Sequence, residues 1–259
     1  MTIDFHYCKF LNHLGVAYLG GLARFIEARN GIVKFDWQTL PPPLFMNLSQ
    51  NGFLCEFNYD REPWQGNSIP YRCDLHQDTE RISSYLEKHW LGQGWVDVSP
   101  SLRQAIVSQV WEIYLNAFTH SQSALGVFSC GQHYPKLKQL ELTIVDFGIG
   151  IPSNVQSTEQ NLSSIDAMAW AFKKGNSTIR DEISRGGGLT LLQDFVLKNQ
   201  GKLTIFSNDV EVVIADNGVK YGMKNVNFSG TLVNIMLRCD EAKYCLDTEI
   251  RDLAGQSVF

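Results

Sequence analysis

The 259-residue sequence contains no run of lysine or arginine, and its formal net charge is −5. Nucleic acid or an anionic membrane would find no basic stripe to bind, so neither is an expected partner. Long apolar runs are missing too. The nearest approach, "LGVAYLGGLARF", is too short to span a bilayer and is broken by Arg24. The stretch "MTIDFHYCKF" lacks a basic segment followed by an apolar one, so no secretory signal is expected and the reading is cytoplasmic. Cysteine is sparse and scattered (8, 55, 73, 130, 239 and 245), with no C-x-x-C pair. Cys73 and His76 in "CDLH" offer two ligands, but no second half at zinc spacing follows. What remains is a composition 44% hydrophobic and 19% charged, that of a globular chain long enough for one large domain or two modest ones.

Along the chain, "LGVAYLGGLARFIEARNG" carries a helical apolar period (Val16, Leu19, Leu22, Ala23, Ile26) and stops at Asn30-Gly31. A strand at "IVKFDW" and a short helix in "PPPLFMNLSQNGF" follow. This rhythm resembles part of a STAS domain, the fold of anti-sigma-factor antagonists, whose short helix also ends in a Gly-plus-apolar pair like Gly52-Phe53. A generic α/β cap is the alternative. "DREPWQGNS", rich in charge and with Pro and Gly, reads as a linker. The expected organisation is an α/β unit over 1–60, a linker over 61–68, a main domain over 69–245 and a tail over 246–259.

In that main domain the pattern predicts a strand at "IPYRCDL", a helix at "QDTERISSYLEKHW", a long helix over about 101–119 and a strand at "QLELTIVDF". Helices at "SSIDAMAWAFKKG" and "GLTLLQDFVLKNQG" follow, then strands at "KLTIFS", "VEVVIAD", "VKYGM" and "TLVNIML", with a hairpin turn at Asp216-Asn217-Gly218. Such an order argues for an α+β sandwich, a mixed and mainly antiparallel sheet covered on one face by helices.

Four stretches carry residues suited to chemistry. On the long helix, Val107, Val110, Trp111, Tyr114 and Phe118 share one face, and Glu112, Asn116 and His120 lie roughly opposite at steps of four. That polar line reads as a solvated face, but it holds no lysine or arginine. A carboxylate and a carboxamide so spaced can also orient a water and ligate a hard divalent cation. In "VDFGIGIP" a strand ends at Asp146, and Gly148 and Gly150 leave backbone free for close approach; a Gly-rich turn capped by Asp146 is the plainer account. In "SRGGGLTLLQDFV", Gly186, Gly187 and Gly188 precede Leu189 and open a helix, where bare amides and the helix dipole attract anions; a hinge would need the same glycines. Gly230-Thr231 in "FSGTLVNIML" enters a late strand.

The order and spacing of these four stretches resemble the GHKL ATPase superfamily: gyrase B subunits, chaperones of the heat-shock class, mismatch-repair ATPases, sensor histidine kinases and anti-sigma kinases. The likeness covers about 69–238. Glu112-x-x-x-Asn116-Ala117 is similar to the N-box, and Asp146-x-Gly148-x-Gly150 to the box whose Asp accepts from the adenine amino group. Gly186-x-Gly188-Leu189 is similar to the phosphate-binding glycine box, and Gly230-Thr231 to the final Gly-Thr near adenine. "AFKKGNST" resembles an element of kinase ATP lids.

The resemblance implies a Bergerat-type sandwich that binds ATP and Mg²⁺ beneath a lid over about 151–185. Asn116 would ligate Mg²⁺ and Glu112 would polarise the attacking water or hydroxyl. Asp146 would select adenine, Thr231 would support the adenine edge, and amides near Gly186 and Gly188 would hold phosphates. Lys174, with Lys173, Arg180 and Arg185, lies in the implied lid, where a cation could meet the γ-phosphate; solvated lid charges are the plainer account. His120 would sit at the pocket rim. Two departures matter. Thr190 stands where the box usually has a third glycine, and His6, His13 and His76 lack the paired-helix setting of a phosphoacceptor. The implied activities are an ATP hydrolase, an anti-sigma-like serine/threonine kinase, or a non-hydrolysing nucleotide-gated module. A protein partner is expected, and a homodimer is compatible with lid closure.

Overall fold

A computed structural model describes residues 1–64, 66–173 and 190–249. In chain order the elements are β1 (Thr2–Ile3), α1 (His13–Glu27), β2 (Lys34–Phe35), α2 (Pro42–Gln50), α3 (Phe53–Glu56), β3 (Ser68–Asp74), α4 (Thr79–Tyr85) and β4 (Asp97–Val98). They continue through α5 (Pro100–His120), β5 (Val127–Tyr134), β6 (Gln139–Asp146), α6 (Ile151–Gln156), α7 (Ser164–Ala171), α8 (Thr190–Lys198), β7 (Lys202–Ala215), β8 (Gly218–Arg238) and β9 (Lys243–Tyr244). The class is α+β.

The main sheet has the order β3-β5-β6-β8-β7, and every pairing in it is antiparallel. The expected mixed character is confined to two small parallel pairs, β1 with β2 and β4 with β9. Central β6 places Asp146 at its end, opposite Val127 on one side and Thr231 on the other.

Alternation along the strands divides the interior in two. Leu140, Leu142 and Ile144 of β6, with Val233, Ile235 and Leu237 of β8, meet Ile82, Ile106, Val110, Tyr114, Leu192 and Phe195 from α4, α5 and α8. Across the sheet, Phe128, Cys130, Val145 and Leu232 meet Val16 and Ala17 of α1, Leu48 of α2, and Phe53 and Leu54 of α3. Helices therefore cover both faces, not one. Each large apolar side chain buried this way contributes about 1.5–3 kcal/mol, so residues 1–60 share an interior with the sheet.

The reason α1 lies so close is its small residues. Its buried face is His13, Val16, Ala17, Gly20, Gly21 and Ala23. Leu19, Leu22 and Ile26, expected to lead the apolar face, are only half-buried. A Cβ at Gly20 would come within 2.1 Å of the Tyr71 hydroxyl, and one at Gly21 within 2.1 Å of the Phe147 ring. At the start of the same helix, His13 is buried against the sheet. Its Nε2 lies 2.9 Å from Asn234 Oδ1 and its Nδ1 lies 3.1 Å from the Tyr134 hydroxyl.

Candidate functional site

Helix α5 begins on Ser99, whose hydroxyl accepts from the Leu102 amide at 3.2 Å, with Pro100 in the first turn. Its buried stripe is Leu102, Ile106, Val107, Val110, Ile113, Tyr114 and Ala117. Trp111 and Phe118, expected on that stripe, instead pack half-buried at its flank, because Ile113 and Ala117 take the central line. On the remaining side Asn116 is exposed, while Glu112 and His120 are half-buried and each has an interaction partner.

The end of α5 joins the second motif directly. The Ser121 carbonyl accepts from the Ile149 amide at 2.8 Å. A Cβ on Gly148 would lie 2.1 Å from that carbonyl oxygen, so only glycine fits where the Asp146 turn crosses the helix end. The helix that bears Glu112 and Asn116 thus ends against the Asp146 turn, through Ser121.

Asp146 is 4% exposed. Its Oδ1 accepts from the Gly148 amide at 2.9 Å, and the Thr231 amide and hydroxyl also donate to the carboxylate. Burial outweighs these bonds and pushes the carboxyl from its ordinary 3.8 up to about 7. A carboxylate offers about four acceptor sites, so with these three donors in place one remains that a ligand amino group could fill.

Two further glycines are fixed by close approach. Gly150 has φ +84, and a side chain there would run into Asn208. Gly230 has φ +146, and its Cβ would come 2.2 Å from the Asp146 carbonyl oxygen. Thr231 follows, with its Oγ1 3.1 Å from Ser207 Oγ.

Ser207 and Asn208 escaped sequence reasoning. They lie at a bulge in β7, where the register with β8 slips. Ser207 Oγ accepts from the Ile151 amide and donates to the Gly230 carbonyl, both at 2.8 Å. Asn208 donates to the Ile149 carbonyl at 2.9 Å and accepts from the amide and hydroxyl of Ser153 at 3.1 Å each. Together they tie the turn after Asp146 to the strands that carry Thr231. The bulge leaves no mark in a strand alternation, so the sequence pattern does not point to them.

Lys174, Gly186, Gly187, Gly188 and Leu189, with Arg180 and Arg185, lie outside the described residues. Thr190 is the exposed first residue of α8. Thr190 and Gln109 of α5 line one cavity of about 380 Å³, with Leu102, Phe195, Tyr244 and Leu246 among its other walls. None of Glu112, Asn116, Asp146 or Thr231 lines it, so that groove is separate from the Asp146 turn. Among the described residues no cluster of three or more His, Cys, Asp or Glu could hold a metal by itself. No helix among the described residues is long and apolar enough to cross a membrane. No protein-family model matches the chain, and no curated protein matches it significantly.

Proposed function

We propose that this chain is a Mg-ATP-binding ATPase of GHKL type that works as a cytoplasmic regulator, its nucleotide site coupled to a protein partner. One observation carries the reading. A buried carboxylate ends the central strand, its turn and neighbours hold glycines where a Cβ would clash, and that turn meets the end of the helix that bears Glu112 and Asn116. In this reading the adenine amino group donates to Asp146, Thr231 supports the adenine edge, and Asn116 contributes its amide oxygen to Mg²⁺. Glu112 accepts the proton of the attacking water or hydroxyl. Gly186, Gly187, Gly188 and Leu189 hold phosphates, Lys174 belongs to the lid, and His120 forms the rim. Residues 1–60 serve as the STAS-like regulatory half of the same chain. Magnesium, when bound, would neutralise the negative charge of the phosphates; the chain's own residues would orient the substrate and the attacking water.

Thermal denaturation with and without saturating Mg-ATP tests the binding, because a ligand that prefers the native state raises its stability. Wild type should shift upward, and Asp146→Asn should lose that shift. No shift in wild type would refute the nucleotide reading. Phosphate release that disappears in Glu112→Ala while the thermal shift persists would identify a hydrolase. Label appearing on serine or threonine of a partner would identify the kinase alternative. Binding without either product would leave the nucleotide-gated module.

A further inference from the structure

The ring of Phe147 does not face the helix that carries Glu112; it belongs to the cluster on the other side of the sheet. Its centroid lies 5.4 Å from Tyr18 and 5.7 Å from Phe25, both on α1. Edge-on contacts to Phe128 at 5.9 Å and Phe228 at 5.3 Å complete the cluster. Tyr18 also reaches Phe228, at 5.5 Å. Between these rings and the helix backbone there is no slack, since a Cβ at Gly21 would come 2.1 Å from Phe147 Cε2 and 2.9 Å from Phe128 Cδ2.

The sequence positions give this packing its meaning. Phe147 sits between Asp146 and Gly148, whose amide donates to the Asp146 carboxylate. Phe228 sits two residues before Gly230, and its ring would lie 2.8 Å from a Cβ placed on that glycine. One helix therefore grips, through two rings, both segments that flank the proposed adenine acceptor, the end of β6 and the middle of β8. Side chains in a close-packed interior move together or not at all. A displacement of α1 must free Phe147 and Phe228 and, with them, the backbone on either side of Asp146.

We infer that α1 is the positioning element for the Asp146 acceptor, acting through Phe147 and Phe228, so that docking of the N-terminal helices and occupancy of the adenine site are thermodynamically linked. This rests on the ATP reading for its ligand but not for its geometry. Linkage is reciprocal: nucleotide holds α1 on the sheet, and whatever draws α1 away weakens nucleotide binding by the same factor. The regulatory input to the site then arrives from behind the sheet, on the side opposite Glu112. Tyr18, Phe25 and Gly21 are positioning residues, since none of them touches Asp146 itself.

The test combines amide hydrogen exchange with nucleotide titration on the full chain. Tyr18→Leu removes a ring that contacts both Phe147 and Phe228, and Gly21→Ala drives a methyl group into Phe147. In both variants, exchange over 147–149 should rise at least tenfold, with protection in α4 and β3 unchanged. ATP and ADP should each bind at least tenfold more weakly, while inorganic tripolyphosphate, which lacks adenine, should bind as in wild type. Adding Phe147→Leu to Gly21→Ala makes room for the methyl and should restore protection at 148–149. Should Gly21→Ala fail to fold, Tyr18→Leu decides alone. Unchanged exchange over 147–149, or equal weakening of ATP and tripolyphosphate, would overturn the inference. A wild type that binds no nucleotide would refute the ATP reading instead, and the exchange arm would still decide whether α1 holds the turn.

Discussion

Replacing Asp146 by asparagine keeps the side chain's shape and removes its charge, which makes the ligand-free stability of the variant an informative quantity. In the native chain burial lifts the carboxyl from 3.8 to about 7. At about 1.4 kcal/mol per pH unit, the ionised carboxylate costs the native state on the order of 4 kcal/mol above pH 7. The asparagine oxygen can still accept from the Gly148 amide, as Oδ1 does at 2.9 Å. Its amide nitrogen, however, cannot accept from the Thr231 amide or hydroxyl as a carboxylate oxygen does, at a cost of about 1–2 kcal/mol. The variant should therefore be more stable than wild type by about 2 kcal/mol at pH 8. At roughly 2–4 °C per kcal/mol for a chain of this size, that is about 4–8 °C in the melting temperature.

The sign of its pH dependence is equally specific. A carboxyl whose native value lies above its unfolded value leaves the native state holding the extra proton between those limits. Wild-type stability accordingly falls as pH rises from about 3.8 to about 7, then levels. The asparagine advantage should grow through that window and flatten above it. Thermal denaturation of both proteins from pH 4.5 to 8.5 measures this without any ligand. A variant less stable than wild type at pH 8, or an advantage independent of pH, would show that Asp146 is not a destabilising buried acid. Gained stability together with a lost Mg-ATP shift would be the trade expected of a residue kept for binding.

His13 gives an opposite slope. Burial against the sheet holds its imidazole below the ordinary 6.5, against the Asn234 hydrogen bond and the Glu141 carboxylate, which pull it upward. Its native form resists protonation, so the stability it contributes is complete above pH 6.5 and is lost as pH falls below that, by at most about 1.4 kcal/mol per pH unit. Urea midpoints of wild type and His13→Gln between pH 5 and 8 should diverge below 6.5, and parallel curves would contradict this account. Gly230→Ala should destabilise by about 2–4 kcal/mol, combining an unfavourable φ of +146 with a Cβ 2.2 Å from the Asp146 carbonyl oxygen. A change within ~0.5 kcal/mol by denaturant titration would show that the strand end yields more easily than its packing indicates.

Local signals were legible where one physical rule dominated. The apolar period placed the start of α5 at about 101, within one residue of Pro100, and Asp216-Asn217-Gly218 marked the β7–β8 turn, with Gly218 at φ +85. Strand β5 was missed. Its first six residues are all buried, so no alternation distinguishes it, and Cys130, Gly131 and His133 weaken its β character. The bulge at Ser207 and Asn208 hid the continuity of β7, which reads in sequence as two shorter strands. For α1 the helix was legible but its buried face was not. Hydrophobicity favours Leu19, Leu22 and Ile26, whereas contact with the sheet selects Ala17, Gly20 and Gly21 because they permit close approach. Which helix face is buried depends on the partner surface, and that surface is assembled from Tyr71 of β3 and from strands more than a hundred residues further along the chain.

That same dependence explains why Asp146 has the properties on which its proposed role relies. A sheet covered on one face would leave the rear of the Asp146 turn in water, and a hydrated carboxylate would titrate near its ordinary value and satisfy itself with solvent. Here α1 closes the rear through Phe147, β8 supplies Thr231, and the end of α5 closes the front through Ser121 and Ile149. The acceptor is thus a product of both layers. Asp146, Gly148 and Thr231 supply its chemical groups, but the packing behind the turn also comes from residues 13–27, which no motif marks. For that reason removal of the N-terminal helices should not yield a smaller nucleotide-binding domain with the same site. It should yield one whose carboxylate is ordinary.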